Sequence, residues 1–227
     1  MWLNDEQVTD LKLDQYQESL LSACPNHIVI DGLFNEAKLD DVMHILQQSP
    51  YWQTQQHTYS ALYVDSAAWK NATAAQRFVQ RDVWKRDAVS PNLAEEFLSF
   101  LRSDAFMSVL SRLFNVQLTD INVAEPEINT NYFRLASTDF VEQHADDSPG
   151  REVCMLLYLN KNWSNKKGGE LSFIGNKDNQ PITISPLYNR CIFFNPSSAG
   201  SEHWVEKLRF EDVDLYRFNV TSWYWRE

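Results

Sequence analysis

From about residue 121 onward the chain breaks into short runs rich in valine, isoleucine, tyrosine and phenylalanine, divided by polar turns, and nothing else constrains its fold as strongly. The runs cover residues 121–124, 129–134, 153–160, 170–174, 182–184, 190–194, 203–205 and 214–225. Short β-prone runs at this spacing build antiparallel sandwiches, jelly rolls or barrels. The first half has a different period. Val8, Leu11, Leu13, Tyr16, Leu20 and Leu21 lie close to a helical stripe over residues 6–23, which Pro25 stops. Residues 27–30 read as a short strand. Asn35 is placed to cap a helix carrying Leu39, Val42, Met43 and Leu46. Residues 92–114 read as one helix broken near Ser103-Asp104, with Ser103 a second cap. The expectation is a single domain over residues 1–227, with 1–120 mainly helical support and 121–227 the sheet core.

A hydrophobic share of 44% over 227 residues is enough to bury such a core. The net charge of −11 sets a phosphate backbone at a disadvantage, so no nucleic-acid partner is expected. No apolar run is long enough to span a bilayer, so no membrane partner is expected either. The N-terminus lacks the basic-then-apolar order of a signal peptide, and Cys24, Cys154 and Cys191 are scattered without a C-x-x-C. These features point to a reducing cytoplasm.

The chemistry starts from five histidines. His144 is followed two positions later by Asp146, and in extended backbone residues i and i+2 share a face, about 6.6 Å apart at Cα. Both could then reach one ion at about 2.0–2.2 Å. The neighbouring Asp147 would point the other way, which favours Asp146. His203 is the only histidine downstream, just after a polar loop, and is the natural third ligand. Two imidazoles and one carboxylate on one face of an ion form the facial triad of non-haem iron(II) chemistry. His27, His44 and His57 lack a partner at ligand spacing and read as structural.

In the last run one face carries Leu215, Arg217, Asn219, Thr221 and Trp223, a polar stripe that includes an arginine, and the other carries Tyr216, Phe218, Val220, Ser222 and Tyr224. A buried arginine needs an anion, which an Asp or Glu of the protein or a ligand carboxylate could supply. Thr221 shares its face and could share that anion.

These pieces stand in an order that resembles one family. Asp139-Phe140-Val141-Glu142-Gln143-His144-Ala145-Asp146 is followed by Arg151 and by Leu156-Leu157-Tyr158-Leu159-Asn160. Then come Trp163, Gly168-Gly169-Glu170-Leu171, the P-x-x-N-R-x-x-x-F pattern from Pro186 to Phe194, His203-Trp204-Val205, and Arg217 through Thr221 to Trp223. The stretch resembles the prolyl-hydroxylase-like iron(II)/2-oxoglutarate-dependent dioxygenases. The resemblance implies an α+β fold with a double-stranded β-helix (jelly-roll) core of mostly antiparallel strands and N-terminal helices packed against it. It implies His144, Asp146 and His203 as ligands of Fe(II), and Arg217, Thr221, Tyr158 and Tyr132 as contacts of the co-substrate 2-oxoglutarate. Arg151 and Trp223 would face the substrate. O2 would be the oxidant, ascorbate a supporting reductant, and no side chain beyond the metal ligands would be catalytic. The expected reaction is hydroxylation of a C–H bond, first of all in a prolyl residue of a protein or peptide. The alternatives are a free amino acid or other small metabolite, or a jelly-roll binding module without turnover. Arg217-x-Asn219-x-Thr221 is also similar to a motif of the alkylated-nucleobase oxygenases, but Trp223 stands where their second arginine would be. The segment 51–84, rich in aromatics, is open between a substrate lid and ordinary packing.

Overall fold

The computed structural model describes all residues except 86–91, 122, 124–128, 177–179, 213 and 227. The elements run α1 (Asp10–Ser22), β1 (His27–Asp31), α2 (Glu36–Gln48), β2 (Trp52–Thr58), α3 (Ser66–Asn71), β3 (Arg77–Trp84), α4 (Leu93–Leu101), α5 (Asp104–Phe114), β4 (Leu118–Thr119), β5 (Thr130–Leu135), β6 (Phe140–Val141), β7 (Arg151–Tyr158), β8 (Leu171–Phe173), β9 (Ile182–Ile184), β10 (Arg190–Phe194), β11 (His203–Val205) and β12 (Arg217–Arg226).

The helices begin where side chains can take the first free backbone N–H groups. Thr9, Asn35, Asn92 and Ser103 accept from Lys12, Lys38, Ala94 with Glu95, and Phe106. α5 ends at Asn115, which adopts the left-handed conformation asparagine tolerates at such an end. The apolar faces of α2, α4 and α5 bury Leu39, Val42, Leu46, Phe97, Leu98, Leu101, Phe106 and Leu110 against the large sheet. Each contributes about 1.5–3 kcal/mol by leaving water.

The large sheet has the order β1-β10-β7-β12-β5-β3-β2, with β4 added beside β12 and β6 beside β3. A second sheet, β11-β8-β9, lies across from it. Every pairing is antiparallel. Alternation along the central strands sorts their side chains into two layers. Val153, Met155 and Leu157 of β7 face the helices, while Cys154, Leu156 and Tyr158 face the second sheet. On β12, Phe218, Val220 and Tyr224 join the helix-side core. The opposite face presents Arg217, Asn219, Thr221 and Trp223 to the interior between the sheets. This is the expected α+β architecture with a jelly-roll core.

The first half departs from expectation. It is not only helical: β2 and β3 pair from Trp52↔Trp84 to Thr58↔Arg77 and extend the large sheet at its edge. Their sequences, WQTQQHT and RFVQRDVW, carry too many polar residues to read as core strands; β2 is the edge of the large sheet, with Gln53 and Thr54 exposed. The expected strand 121–124 falls largely outside the described residues.

Candidate metal and anion site

The two sheets enclose a cavity of about 1150 Å³. β6 runs into an extended segment carrying His144 and Asp146, and β11 begins with His203. The two histidines form a reciprocal backbone bridge, each N–H donating to the other's carbonyl at 3.0 Å. That bridge brings residues 59 positions apart into contact. His144 Nε2 lies 3.7 Å from Asp146 Oδ1, and His203 Nε2 lies 3.8 Å from Asp146 Oδ2. The three donor atoms all fall within 4.8 Å of one another. Three ligands each about 2.0–2.2 Å from a shared ion stand roughly 3–4 Å apart, so the geometry fits.

The hydrogen bonds behind the ligands also fit. His144 Nδ1 is 2.9 Å from the Glu142 carbonyl and His203 Nδ1 is 3.0 Å from that of Ser201. A carbonyl only accepts, so each Nδ1 carries the proton and each Nε2 turns a lone pair inward. Burial, with the nearby His144, lowers His203 to about 4, so it is neutral at physiological pH. Burial works to raise Asp146, but the flanking histidines, the Trp223 indole N–H and Arg151 outweigh it and hold the carboxyl below its ordinary range. The Trp223 indole donates to Asp146 Oδ2 at 2.9 Å. Arg151 donates to the Asp146 carbonyl and lies near both Trp223 and Trp225. Asp147 is not in the cluster and accepts instead from the Ser197 hydroxyl at 2.7 Å.

Arg217 is 1% exposed and reaches the interior from β12. Its Nε donates to the Gly169 carbonyl at 2.7 Å and its Nη1 to Asn219 Oδ1 at 3.0 Å. Asn219 in turn donates to the Thr221 hydroxyl oxygen at 3.0 Å. Arg217 Nη2 and the Tyr158 hydroxyl are buried with no hydrogen-bond partner among the described residues. The guanidinium carbon stands 4.7 Å from the Tyr158 ring centroid. No Asp or Glu carboxylate among the described residues comes within 4.0 Å of Arg217. A protein ion pair is therefore not what the arginine serves. Two orphaned donors beside a buried cation are the complement of a ligand carboxylate.

Gly169 makes the cradle possible. Its φ is +78°, and a Cβ there would stand 2.7 Å from Leu208 Cδ2 and 2.9 Å from Arg217 Cδ. Gly169→Ala is expected to cost about 1–3 kcal/mol of stability through backbone strain and overpacking. Displacing the guanidinium should weaken binding of a dicarboxylate at the site by roughly tenfold or more. Calorimetric titration and thermal unfolding of the variant check both effects.

One expected contact is wrong. Tyr132 sits on β5, but its hydroxyl donates to the Ala94 carbonyl at 2.8 Å and its ring packs on Trp84 in the helix-side core. Pairing of β5 with β12 gives the cavity face to Asn131, Phe133 and Leu135 instead. The aromatic segment has a definite place: β2 and β3 wall the cavity, and the turn between them brings Tyr59 and Tyr63 to its mouth. Two residues of this wall carry no site signal in the sequence: His57, which reads there as structural but lines the cavity, and Arg81. His57 is 7% exposed, and burial, with Arg81 and His144 nearby, lowers it to about 4. Arg81 lines the same cavity, and burial lowers it to about 10 against the pull of Asp146. Neither stands near a motif in sequence; only the pairing of β2 with β3 brings them in.

Known proteins resemble this chain in sequence and in fold. The model of the 2OG-Fe(II) oxygenase superfamily matches residues 130–225. Prolyl 3-hydroxylase OGFOD1 of Mus musculus is 28% identical over 139 residues, which cover 59% of this chain and 24% of that protein. The Xenopus laevis protein of the same name is 30% identical over 141 residues, 59% of this chain and 26% of its own length. The chain thus spans about a quarter of these relatives. A Pseudomonas putida prolyl-4-hydroxylase superposes with a TM-score of 0.63 at 15% identity, covering 95% of this chain and 99% of the other. A prolyl hydroxylase of Trichoplax adhaerens, solved with a hypoxia inducible factor peptide fragment, gives 0.66 at 19% identity, covering 98% and 96%. At these identities the structural likeness speaks for the fold.

Proposed function

We propose that this chain, a prolyl-hydroxylase-like member of the 2OG-Fe(II) oxygenase superfamily through residues 130–225, hydroxylates a prolyl residue in a protein or peptide. The observation that carries the reading is the pairing of a His144-Asp146-His203 cluster with an unpaired buried Arg217 in one cavity. His144, Asp146 and His203 would hold Fe(II) through their inward atoms. Arg217, with the Tyr158 hydroxyl and Thr221 beside it, would take the distal carboxylate of 2-oxoglutarate. Iron, 2-oxoglutarate and O2 together supply the oxidising power for cleaving a C–H bond, and ascorbate would keep the metal reduced. The protein's own work is positional. The carbonyls of Glu142 and Ser201 fix both imidazole tautomers, and Trp223 orients the Asp146 carboxylate. Arg151 and Trp223 would meet the substrate.

A prolyl substrate is supported by the names of the relatives, and a peptide by the Trichoplax complex. The helices share one apolar core with the large sheet, which supports a single oxygenase unit. Three free cysteines support a reducing compartment, and we assign the cytoplasm; among the described residues no helix is long and apolar enough to cross a membrane.

The test begins with purified protein, Fe(II), ascorbate and 2-oxoglutarate. Metal-dependent succinate release is expected at a low rate without prime substrate. Adding a proteome digest should raise the rate and leave peptides with one extra oxygen on proline. Absence of metal-dependent succinate would overturn the oxygenase reading, and hydroxylation of free proline alone would redirect it to a metabolite.

A further inference from the structure

Two polar side chains in the cavity, the buried His57 and the half-buried Arg81, take no part in the metal cluster or the Arg217 cradle. Both lie on the wall built by β2 and β3. Arg81 donates through Nε to Gln55 Oε1 at 3.1 Å, and its guanidinium carbon stands 3.7 Å from the Phe133 ring centroid. Stacking occupies one face of the guanidinium and leaves its remaining N–H groups pointing out along its edge. No carboxylate among the described residues lies within 4.0 Å of it. His57 packs against Tyr63 and Phe78, with ring centroids 4.9 and 5.7 Å away. Its Nε2 is buried without a partner.

An imidazole nitrogen buried without a partner costs stability, so the survival of His57 beside the metal ligands calls for a ligand, and the half-buried guanidinium of Arg81, without an anion, is free to share it. The far wall shows the same signature at Arg217 and Tyr158, where on the oxygenase reading a co-substrate carboxylate would answer it. Arg81 and His57 are left for something else. Arg81, Lys85 and Arg151 also make the cavity wall basic within a chain of net charge −11. That contrast draws electronegative groups inward.

We propose that Arg81 and His57 form a subsite that binds an acceptor oxygen of the prime substrate, a carboxylate or main-chain carbonyl adjoining the carbon to be hydroxylated. This rests on the oxygenase reading. Arg81 offers its edge N–H groups and His57 its unpartnered Nε2, which donates when it carries the ring proton, so the subsite sets the substrate's orientation over the metal cluster. Both are positioning residues.

The probes are N-acetyl-L-proline, which carries a carboxylate, and N-acetyl-L-proline N-methylamide, which offers only neutral carbonyls. Each is titrated into the 227-residue protein loaded with Mn(II) and 2-oxoglutarate. Paramagnetic relaxation of the probe protons reports their approach to the metal. Arg81→Gln should weaken the bound probe at least tenfold and His57→Phe about threefold, with 2-oxoglutarate affinity held within twofold. That retained affinity also shows that the variants are folded. If the carboxylate probe binds wild type at least fivefold tighter and Arg81→Gln removes the preference, the oxygen is a carboxylate. Equal binding of the two probes by wild type, lost in the variant, identifies a main-chain carbonyl. The subsite is wrong if wild type binds 2-oxoglutarate but neither probe, if Arg81→Gln leaves probe affinity unchanged, or if it weakens 2-oxoglutarate instead. Failure of wild type to bind 2-oxoglutarate in a metal-dependent way would sink the oxygenase reading itself.

Discussion

Replacing His203 with alanine is expected to abolish succinate release and to weaken iron(II) binding by roughly a thousandfold. Removing groups that merely orient a ligand commonly costs about 10–100-fold, and here the ligand itself is lost. No neighbour can stand in. The adjoining Trp204 bonds Glu206 through its indole, and the cluster holds only three donors among the described residues. The fold should survive. Phe173 and Phe194 flank the ring at 5.8 and 5.1 Å, and the His144–His203 bridge is made by main-chain atoms that alanine retains. Circular dichroism and metal titration of the variant check this. Wild-type affinity for iron(II) in His203→Ala would rule out the cluster as the metal site.

Arg217→Met separates a binding arginine from a structural one. Truncating one partner of a buried, hydrogen-bonded charge pair typically costs about 2–5 kcal/mol, so 2-oxoglutarate affinity should fall by roughly 30- to several-thousandfold. Iron(II) affinity should not change, because Arg217 is not among the clustered donors. The stability of the free protein carries the sharper distinction. Breaking a structural ion pair costs about 3–5 kcal/mol by leaving a counter-charge uncompensated, whereas replacing a buried charge that has no counter-ion removes its own desolvation cost. With Nη2 unpartnered and no carboxylate in reach, the unfolding temperature of Arg217→Met should hold or rise. The thermal shift that 2-oxoglutarate induces in wild type should disappear. A large fall in stability would mean that Arg217 serves the fold.

The parts of the site that were legible in sequence share a cause. His144 and Asp146 are two residues apart, and Arg217, Asn219, Thr221 and Trp223 alternate, so each set lies on one face whatever the strand pairs with. The caps Asn35, Asn92 and Ser103 were likewise local, since a cap bonds within its own first turn. Tyr132 failed for a matching reason. Alternation says that Tyr132 and Phe133 point opposite ways, but not which of them points inward. That was decided by the register of β5 on β12, with Val220 opposite Tyr132 and Asn219 opposite Phe133.

By itself, the sequence determined the individual helices of the first half, the β-rich second half, the caps, the spacing of the candidate ligands and the polar stripe around Arg217, all of which rest on interactions between near neighbours in the chain. Only the tertiary structure decided that β2 and β3 would join the large sheet, that Tyr132 would face the helices, and that His57 and Arg81 would enter the cavity. Those outcomes depend on pairing between distant strands, where burial and register override what each short segment prefers alone.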